Sequence, residues 1–334
     1  MTSKKRVLTG YRPTGRLTLG HWFGNLLNMR ELQEQYEAYY FVADWHALTS
    51  DWQDTRGVRR YTEEMVLDWL AAGIDPEKSV IYRQSDVPEV AELTMYLSMV
   101  APMSWLERVP SYKEQREQIT EKDLGNVGFF LYPLMQAADI VIVRGDLVPV
   151  GEDQIPHLEL TREVVRRFNT QYGDLLPEPQ ALIAKEGARV PGTDGRKMSK
   201  SYGNAIYLSE SEEETAKKVT SMVTDPARKL KSDPGNPDIC PLHQIHKLVA
   251  PDPTDIAEWD RCCRVAECGC VAHKKQLVED LNAYLRDFRT RRAELAAEPG
   301  AAWDVLDRGA ARVRPTVEAL MGDVRRAMHI DAER

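Results

Sequence analysis

The chain has 334 residues, 43% of them hydrophobic and 29% charged, with a net charge of −8. That length is more than one core holds comfortably and predicts two domains of a globular enzyme. No window nears the roughly 18 consecutive apolar residues of a membrane span, and five cysteines, two of them adjacent, argue against a secreted disulfide framework and for a reducing cytoplasm.

The basic start, Lys4-Lys5-Arg6, precedes only a short apolar run, which predicts no secretory signal. Val7-Leu8-Thr9 reads as a buried strand, broken by the turn Arg12-Pro13-Thr14-Gly15. Leu19, Trp22, Phe23, Leu26 and Leu27 then recur at helical spacing. A strand, a glycine-bearing turn and a helix N-terminus suit a phosphate, because free N–H groups and the positive dipole end meet there. Gly20 lets a ligand approach the backbone, and His21 can donate to a phosphate. An ordinary strand–turn–helix connection is the alternative reading.

Tyr39 to Asp44 reads as a second strand. Asp54-Thr55 caps a helix that carries Val58, Tyr61, Met65 and Trp69 to Gly73. Val80-Ile81-Tyr82 makes a third strand, and Pro88 opens a helix through Leu97. Residues 111–127 read as a polar, mobile insertion. A helical piece with Phe129, Tyr132, Met135 and Ala138 leads to Asp139 and an expected strand, Ile140 to Val143. Leu147 to Val150 is another strand, ending in the polar turn Gly151-Glu152-Asp153-Gln154, and a helix runs from Ile155 to Phe168. Strands alternating with helices predict an α/β fold with a doubly wound parallel sheet, whose ligands sit at the carboxyl ends of the strands.

Gly187 to Gly195 reads as a mobile loop leading into Arg196-Lys197-Met198-Ser199-Lys200-Ser201. Two lysines three residues apart suit a loop closing over a polyphosphate, as point charges on a leaving pyrophosphate. Prolines 226, 234, 237 and 241 mark a hinge. Beyond it Leu277, Leu281, Tyr284, Leu285 and Phe288 form a helical apolar stripe, and Arg286, Arg289, Arg291, Arg292, Arg312, Arg314, Arg325 and Arg326 offer cations for RNA despite the acidic balance.

Lys197-Met198-Ser199-Lys200-Ser201, paired with Thr18-Leu19-Gly20-His21, resembles the class I aminoacyl-tRNA synthetases; threonine replaces the first histidine of their His-Ile-Gly-His motif. With Asp44 to Thr49, Ala137-Ala138-Asp139 and Gly151 to Gln154, nearly the whole chain resembles the bacterial tryptophanyl-tRNA synthetases. The resemblance implies a Rossmann-like catalytic domain over residues 1–206 and a helical anticodon-binding domain over 207–334, whose last helix packs back on the first. It implies tryptophan activation by ATP with Mg²⁺, transfer to tRNA(Trp), a homodimer and a cytoplasmic location without membrane association. Thr18, Gly20, His21, Lys197 and Lys200 would be catalytic. Arg12, Pro13, Thr14, Met198, Ser199 and Ser201 would join them around ATP, with Gly151, Glu152 and Asp153 near the ribose and Val190 near adenine. Arg12 replaces a glutamine common in other members. Asp139 would accept from the indole N–H, with Tyr132 and Gln154 near the ammonium. Gln136 stands where many relatives have methionine, and His46 either lines the pocket or is satisfied in the core. Activation of tyrosine, binding without charging, and simple nucleotidyl transfer are the rival functions.

Cys240, Cys263 and Cys270 have 22 and 6 residues between them, with His273 following after two more. Some family members hold a [4Fe–4S] cluster on four cysteines at that spacing. Here the fourth ligand would be His273 or Cys268, three thiolates and His273 would suit Zn²⁺, and thiols without any metal are the third possibility.

Overall fold

The computed structural model describes residues 4–109, 123–151, 154–183 and 190–331. Strands β1 (Arg6–Tyr11), β2 (Glu37–Val42), β3 (Ser79–Arg83), β4 (Leu147–Val150) and β5 (Gln180–Ile183) form one parallel sheet in the order β3-β2-β1-β4-β5. β1 pairs with β2 from Arg6 opposite Glu37 to Tyr11 opposite Val42. The chain leaves β1 toward β2 on one side and later returns through β4 on the other. That reversal puts a crevice at the carboxyl end of β1, where open α/β sheets bind ligands.

Alternation along the strands fills both faces. Ala38, Tyr40 and Val42 of β2 join one core with α4 (Val58–Ala71), while Tyr39 and Phe41 join the other with α5 (Glu89–Val100) and α8 (Ile155–Tyr172). The first core also takes in Leu277, Leu281, Leu285 and Phe288 of α12 (Cys270–Ala297), the predicted stripe. It therefore runs unbroken across residue 206.

The remaining helices are α1 (Leu19–His21), α2 (Leu27–Gln35), α3 (Asp44–Asp51), α6 (Met103–Glu107), α7 (Val127–Ile142), α9 (Glu212–Ser221), α10 (Pro241–Val249), α11 (Pro253–Arg264) and α13 (Ala301–Ala327). Between α1 and α2 one π turn, Trp22–Leu26, keeps the chain helical. The Trp22 indole donates to the Tyr284 hydroxyl at 3.0 Å and meets Phe288 edge-on, which fixes the signature helix against α12.

Two expectations fail. Ile140, Val141 and Ile142 continue α7 instead of forming a strand. The run is β-branched, but every residue of it is buried between neighbouring helices, and packing overrides the weak strand preference. Asn126 caps that helix by accepting from the Phe129 N–H at 2.8 Å, so its first residue, Val127, belongs to α7 and not to the polar insertion. Of that insertion, residues 110–122 lie outside the described residues, as do residues 187–189 of the expected loop before Arg196. β5 had no counterpart in the sequence reading; it is an exposed edge strand without an alternating apolar pattern.

Arg289 donates to the Thr215 hydroxyl at 2.8 Å, Arg291 to the Ala71 carbonyl at 3.2 Å, Arg314 to Glu89 at 2.9 Å and Arg325 to Glu92 at 2.7 Å. Arg292 pairs with Glu64 and Asp68, Arg312 with the Pro76 carbonyl and Arg326 with Asp323. All of these except Arg326, whose partner lies on its own helix, tie α12 and α13 to other elements of the fold.

α13 lies directly on β3: a Cβ on Gly309 would stand 1.6 Å from the Ile81 carbonyl oxygen, whereas one on Gly322 of the same helix would meet only Arg326 at 3.5 Å. Gly309→Ala is expected to lower stability by about 1–3 kcal/mol through overpacking. Gly322→Ala is expected to be neutral or to gain up to about 1 kcal/mol of helix propensity. Thermal unfolding of the two variants checks the contrast.

Candidate active site

At the end of β1 the Arg12–Gly15 turn, closed by the Thr14 N–H on the Arg12 carbonyl at 2.9 Å, delivers Thr18 to the start of α1. Nδ1 of His21 lies 3.1 Å from the Thr18 backbone nitrogen and 2.8 Å from its hydroxyl. Both are donors toward Nδ1, which assigns the ring proton to Nε2, the nitrogen available to a ligand. Burial, with the Lys200 charge beside it, lowers the His21 pKa to about 4. The imidazole is thus a neutral donor near pH 7.

The lysine-bearing loop is folded onto this turn. Met198 is buried and stands over Gly20, where a Cβ would meet it at 3.9 Å. The Met198 N–H donates to the Val190 carbonyl at 3.2 Å, and the Ser199 N–H to the Asn204 side chain at 2.8 Å. Lys200 donates to the Gly15 carbonyl at 3.0 Å, and burial lowers its pKa to about 8. Lys197 is exposed beside it, and Ser201 follows in the turn Lys200–Tyr202. Thr18, Gly20, His21, Val190, Met198, Ser199 and Lys200 are therefore gathered in one place. Arg12 reaches toward the Ser50 hydroxyl at 3.5 Å, while Pro13 is buried and Thr14 exposed.

Across the end of β1 a cavity of about 380 Å³ is lined by Arg12, His46, Tyr132, Gln136, Asp139 and Gln154, all expected at the site, together with Gly10, Phe41 and Phe129. Gly10 is required there: a Cβ would stand 2.3 Å from the Phe41 ring. Asp139 is 1% exposed. Its carboxylate lies 2.9 Å from Nε2 of His46 and accepts from Nε2 of Gln84 at 2.9 Å to each oxygen. Burial raises its pKa, and the His46 and Gln84 contacts oppose the rise. His46 both lines the cavity and bonds Asp139, so its two alternative readings are compatible in this geometry. A carboxylate accepts at about four lone-pair positions, so these partners leave room for one more donor, such as a ring N–H.

Gln84 was missed by the sequence reading. Besides Asp139 it accepts from the Trp45 N–H at 3.1 Å, joining the end of β3 to α3 and α7. Its position directly after a strand's carboxyl end was the available signal. Gly151 closes β4 and accepts from the Gln154 N–H at 3.0 Å. Glu152 and Asp153 lie outside the described residues.

Among the described residues the expected ligands are not arranged around a metal. Cys262 and Cys268 are joined in a disulfide, which removes Cys268 as a ligand. His273 bonds His246 at 2.8 Å and stacks on Trp259 at 4.4 Å, and burial lowers its pKa to about 3. The guanidinium of Arg228 stands 3.5 Å from Cys263 and 3.9 Å from Cys270. Cys240, Cys263 and Cys270 are free thiols, and among the described residues no three His, Cys, Asp or Glu side chains are arranged to hold a metal.

The family model for class I tRNA synthetases (W and Y) matches residues 1–286. A tryptophan–tRNA ligase of Thermotoga maritima is 46% identical, covering 97% of this chain and 99% of that one. One from Treponema pallidum is 42% identical over 98% and 97%. The solved tryptophanyl-tRNA synthetase of Campylobacter jejuni, complexed with ADP and tryptophan, superposes with a TM-score of 0.89 at 36% identity, covering 97% of this chain and 99% of that one. This chain belongs to the class I tRNA synthetases of the tryptophan and tyrosine family.

Proposed function

We infer that the chain is a tryptophan–tRNA ligase. It activates L-tryptophan with ATP to tryptophanyl-adenylate and pyrophosphate, then passes tryptophan to the 3′ end of tRNA(Trp). The observation that carries this reading is Asp139, a buried carboxylate held by His46 and Gln84 at the wall of a cavity at the carboxyl end of β1, lined also by Arg12 of the turn that leads to the Gly20-His21 helix start. Tyrosine is the rival substrate, but the tyrosyl-tRNA synthetase of Archaeoglobus fulgidus resembles this chain at only 22% identity, which supports a common fold alone.

In this reading the indole N–H donates to Asp139, and Tyr132 and Gln154 take the ammonium. A tryptophan carboxylate oxygen attacks the α-phosphate, the bond to the β-phosphate breaks, and pyrophosphate leaves with the electron pair. Catalysis then rests on positioning and charge, because no covalent enzyme intermediate is needed. The Nε2–H of His21 and the ammonium groups of Lys197 and Lys200 meet the growing charge, with Arg12 between the two half-sites. Mg²⁺ would enter on the nucleotide's own phosphates, since no described set of protein ligands is arranged for it. The terminal hydroxyl of the tRNA next attacks the adenylate carbonyl, and AMP leaves.

Residues 1–206 are proposed as the catalytic domain and 207–334 as the part that holds the anticodon arm; the tRNA ligases named above match this second part as well. A homodimer is also proposed. Met95, Met99 and Met103 are 56%, 67% and 69% exposed on α5 and α6, an apolar face suited to a second copy. No described helix is long and apolar enough to cross a membrane; a cytoplasmic location is proposed on the chemistry of tRNA charging.

Asp139→Ala is expected to lower kcat/KM for tryptophan in ATP–pyrophosphate exchange by roughly 10²–10⁴-fold, because an unmatched indole N–H and two unpaired side chains remain. A loss below about tenfold would contradict the role. Lys200→Ala is expected to lower kcat by roughly 10²–10³-fold with tryptophan affinity unchanged, since the leaving charge grows mainly in the transition state. A change confined to the KM for ATP would contradict it. With Lys200 titrating near pH 8, kcat/KM for ATP is expected to fall above that pH as the charge is lost, and Lys200→Arg is expected to remove this fall.

A further inference from the structure

Gln84 follows β3 directly and opens the turn Gln84–Asp86; its side chain is fully buried. Its Oε1 accepts from the backbone N–H of Trp45 at 3.1 Å and of His46 at 3.3 Å. Those two donors fix which end of the amide is the oxygen, so Nε2 faces Asp139. From there it donates at 2.9 Å to both carboxylate oxygens. The turn is held in its own right. Asp44 accepts from the Ser85 N–H at 3.1 Å and the Trp45 N–H at 3.0 Å, and Arg314 of α13 donates to the Asp86 carbonyl at 2.7 Å. Gln84 does not itself line the cavity, so it acts on a ligand only through Asp139.

We propose that Gln84 is a positioning residue: its amide holds the Asp139 carboxylate as an acceptor turned to the indole N–H, which sets the preference for tryptophan over rings of the same shape without that N–H. This rests on the role of Asp139 given above. An oxygen that meets the Gln84 N–H has to accept, so the amide favours the ionised carboxylate over the acid. A protonated Asp139 would bring an O–H into the same space, one donor against another. Burial pushes Asp139 toward that acid form, and the His46 and Gln84 contacts oppose it. The titratable and charged groups around Asp139 are Asp44 and His46 of α3 and Tyr82 of β3, with Arg12, Tyr132 and His157 along the cavity. His46 meets one oxygen at 2.9 Å, whereas Gln84 is a neutral partner that binds both without cancelling the charge.

The test compares tryptophan with benzothienylalanine, in which sulfur replaces the indole N–H, as kcat/KM in ATP–pyrophosphate exchange across pH. Gln84→Met keeps the length of the side chain and removes both donors. It is expected to shrink the preference for tryptophan by roughly tenfold or more near neutral pH, and to move the acid limb for tryptophan up by about one pH unit. Gln84→Glu is expected to respond with the opposite sign. Two facing carboxyl groups share one proton, so its kcat/KM for tryptophan rises as the pH falls. A purely structural role would lower activity equally at every pH and for both substrates, and that pattern in folded variants would overturn the proposal. If Gln84→Met fails to fold, Gln84→Glu decides in the same way through the sign of its pH dependence. Asp139→Ala is measured alongside. An undiminished preference there would overturn the role of Asp139 itself, whereas a lost preference there with unmoved limbs in both Gln84 variants would overturn only the role of Gln84.

Discussion

The site depends on where β1 ends. Its two parallel neighbours, β2 and β4, carry the chain to opposite sides, so the backbone from Gly10 to Thr18 faces an open crevice instead of a third strand. One side of that crevice holds the cavity with Asp139, and the other holds the start of α1 under Met198. Two reactants bound on either side would meet at Arg12. Among the described strands, no other end is flanked this way.

Burial then decides the charge of each group. His21 is kept neutral, with its proton on Nε2, because desolvation and Lys200 both oppose a second positive charge. Lys200 is weakened as a cation by the same burial. Asp139 and Asp68 are both fully buried carboxylates, and each is matched by side chains reaching in from other elements: His46 and Gln84 for one, Arg292 for the other. The polar groups are expensive to bury singly, so each depends on several helices being in register.

Much of this was legible in the sequence. Val7-Leu8-Thr9, Tyr39 to Asp44 and Val80 to Tyr82 declared the sheet by their apolar runs, and Gly20-His21 and Lys197 to Ser201 were read as a pair, which the fold brings together. The failures share one cause, which is that tertiary surroundings decide what short patterns mean. Ile140, Val141 and Ile142 carry strand chemistry but are packed as helix. Gln84 belongs to no motif, and only its amide bridging β3, α3 and α7 marks it as part of the site. Most arginines of α12 and α13 also hold the molecule together, a role their sequence pattern did not show. His273 fell at a ligand's spacing while its ring is turned to His246 and Trp259. The boundary at residue 206 came from the resemblance, but the apolar core passes through it, so removing the chain from Asp225 onward would strip Leu277, Leu281 and Leu285 from the first core.

The most direct measurement of the central claim is exchange of labelled pyrophosphate into ATP by the unmodified protein, run side by side with tryptophan and with tyrosine. The account predicts exchange that depends on tryptophan, with tyrosine lower by roughly 10³-fold or more in kcat/KM. Exchange supported by tyrosine and not by tryptophan would contradict it.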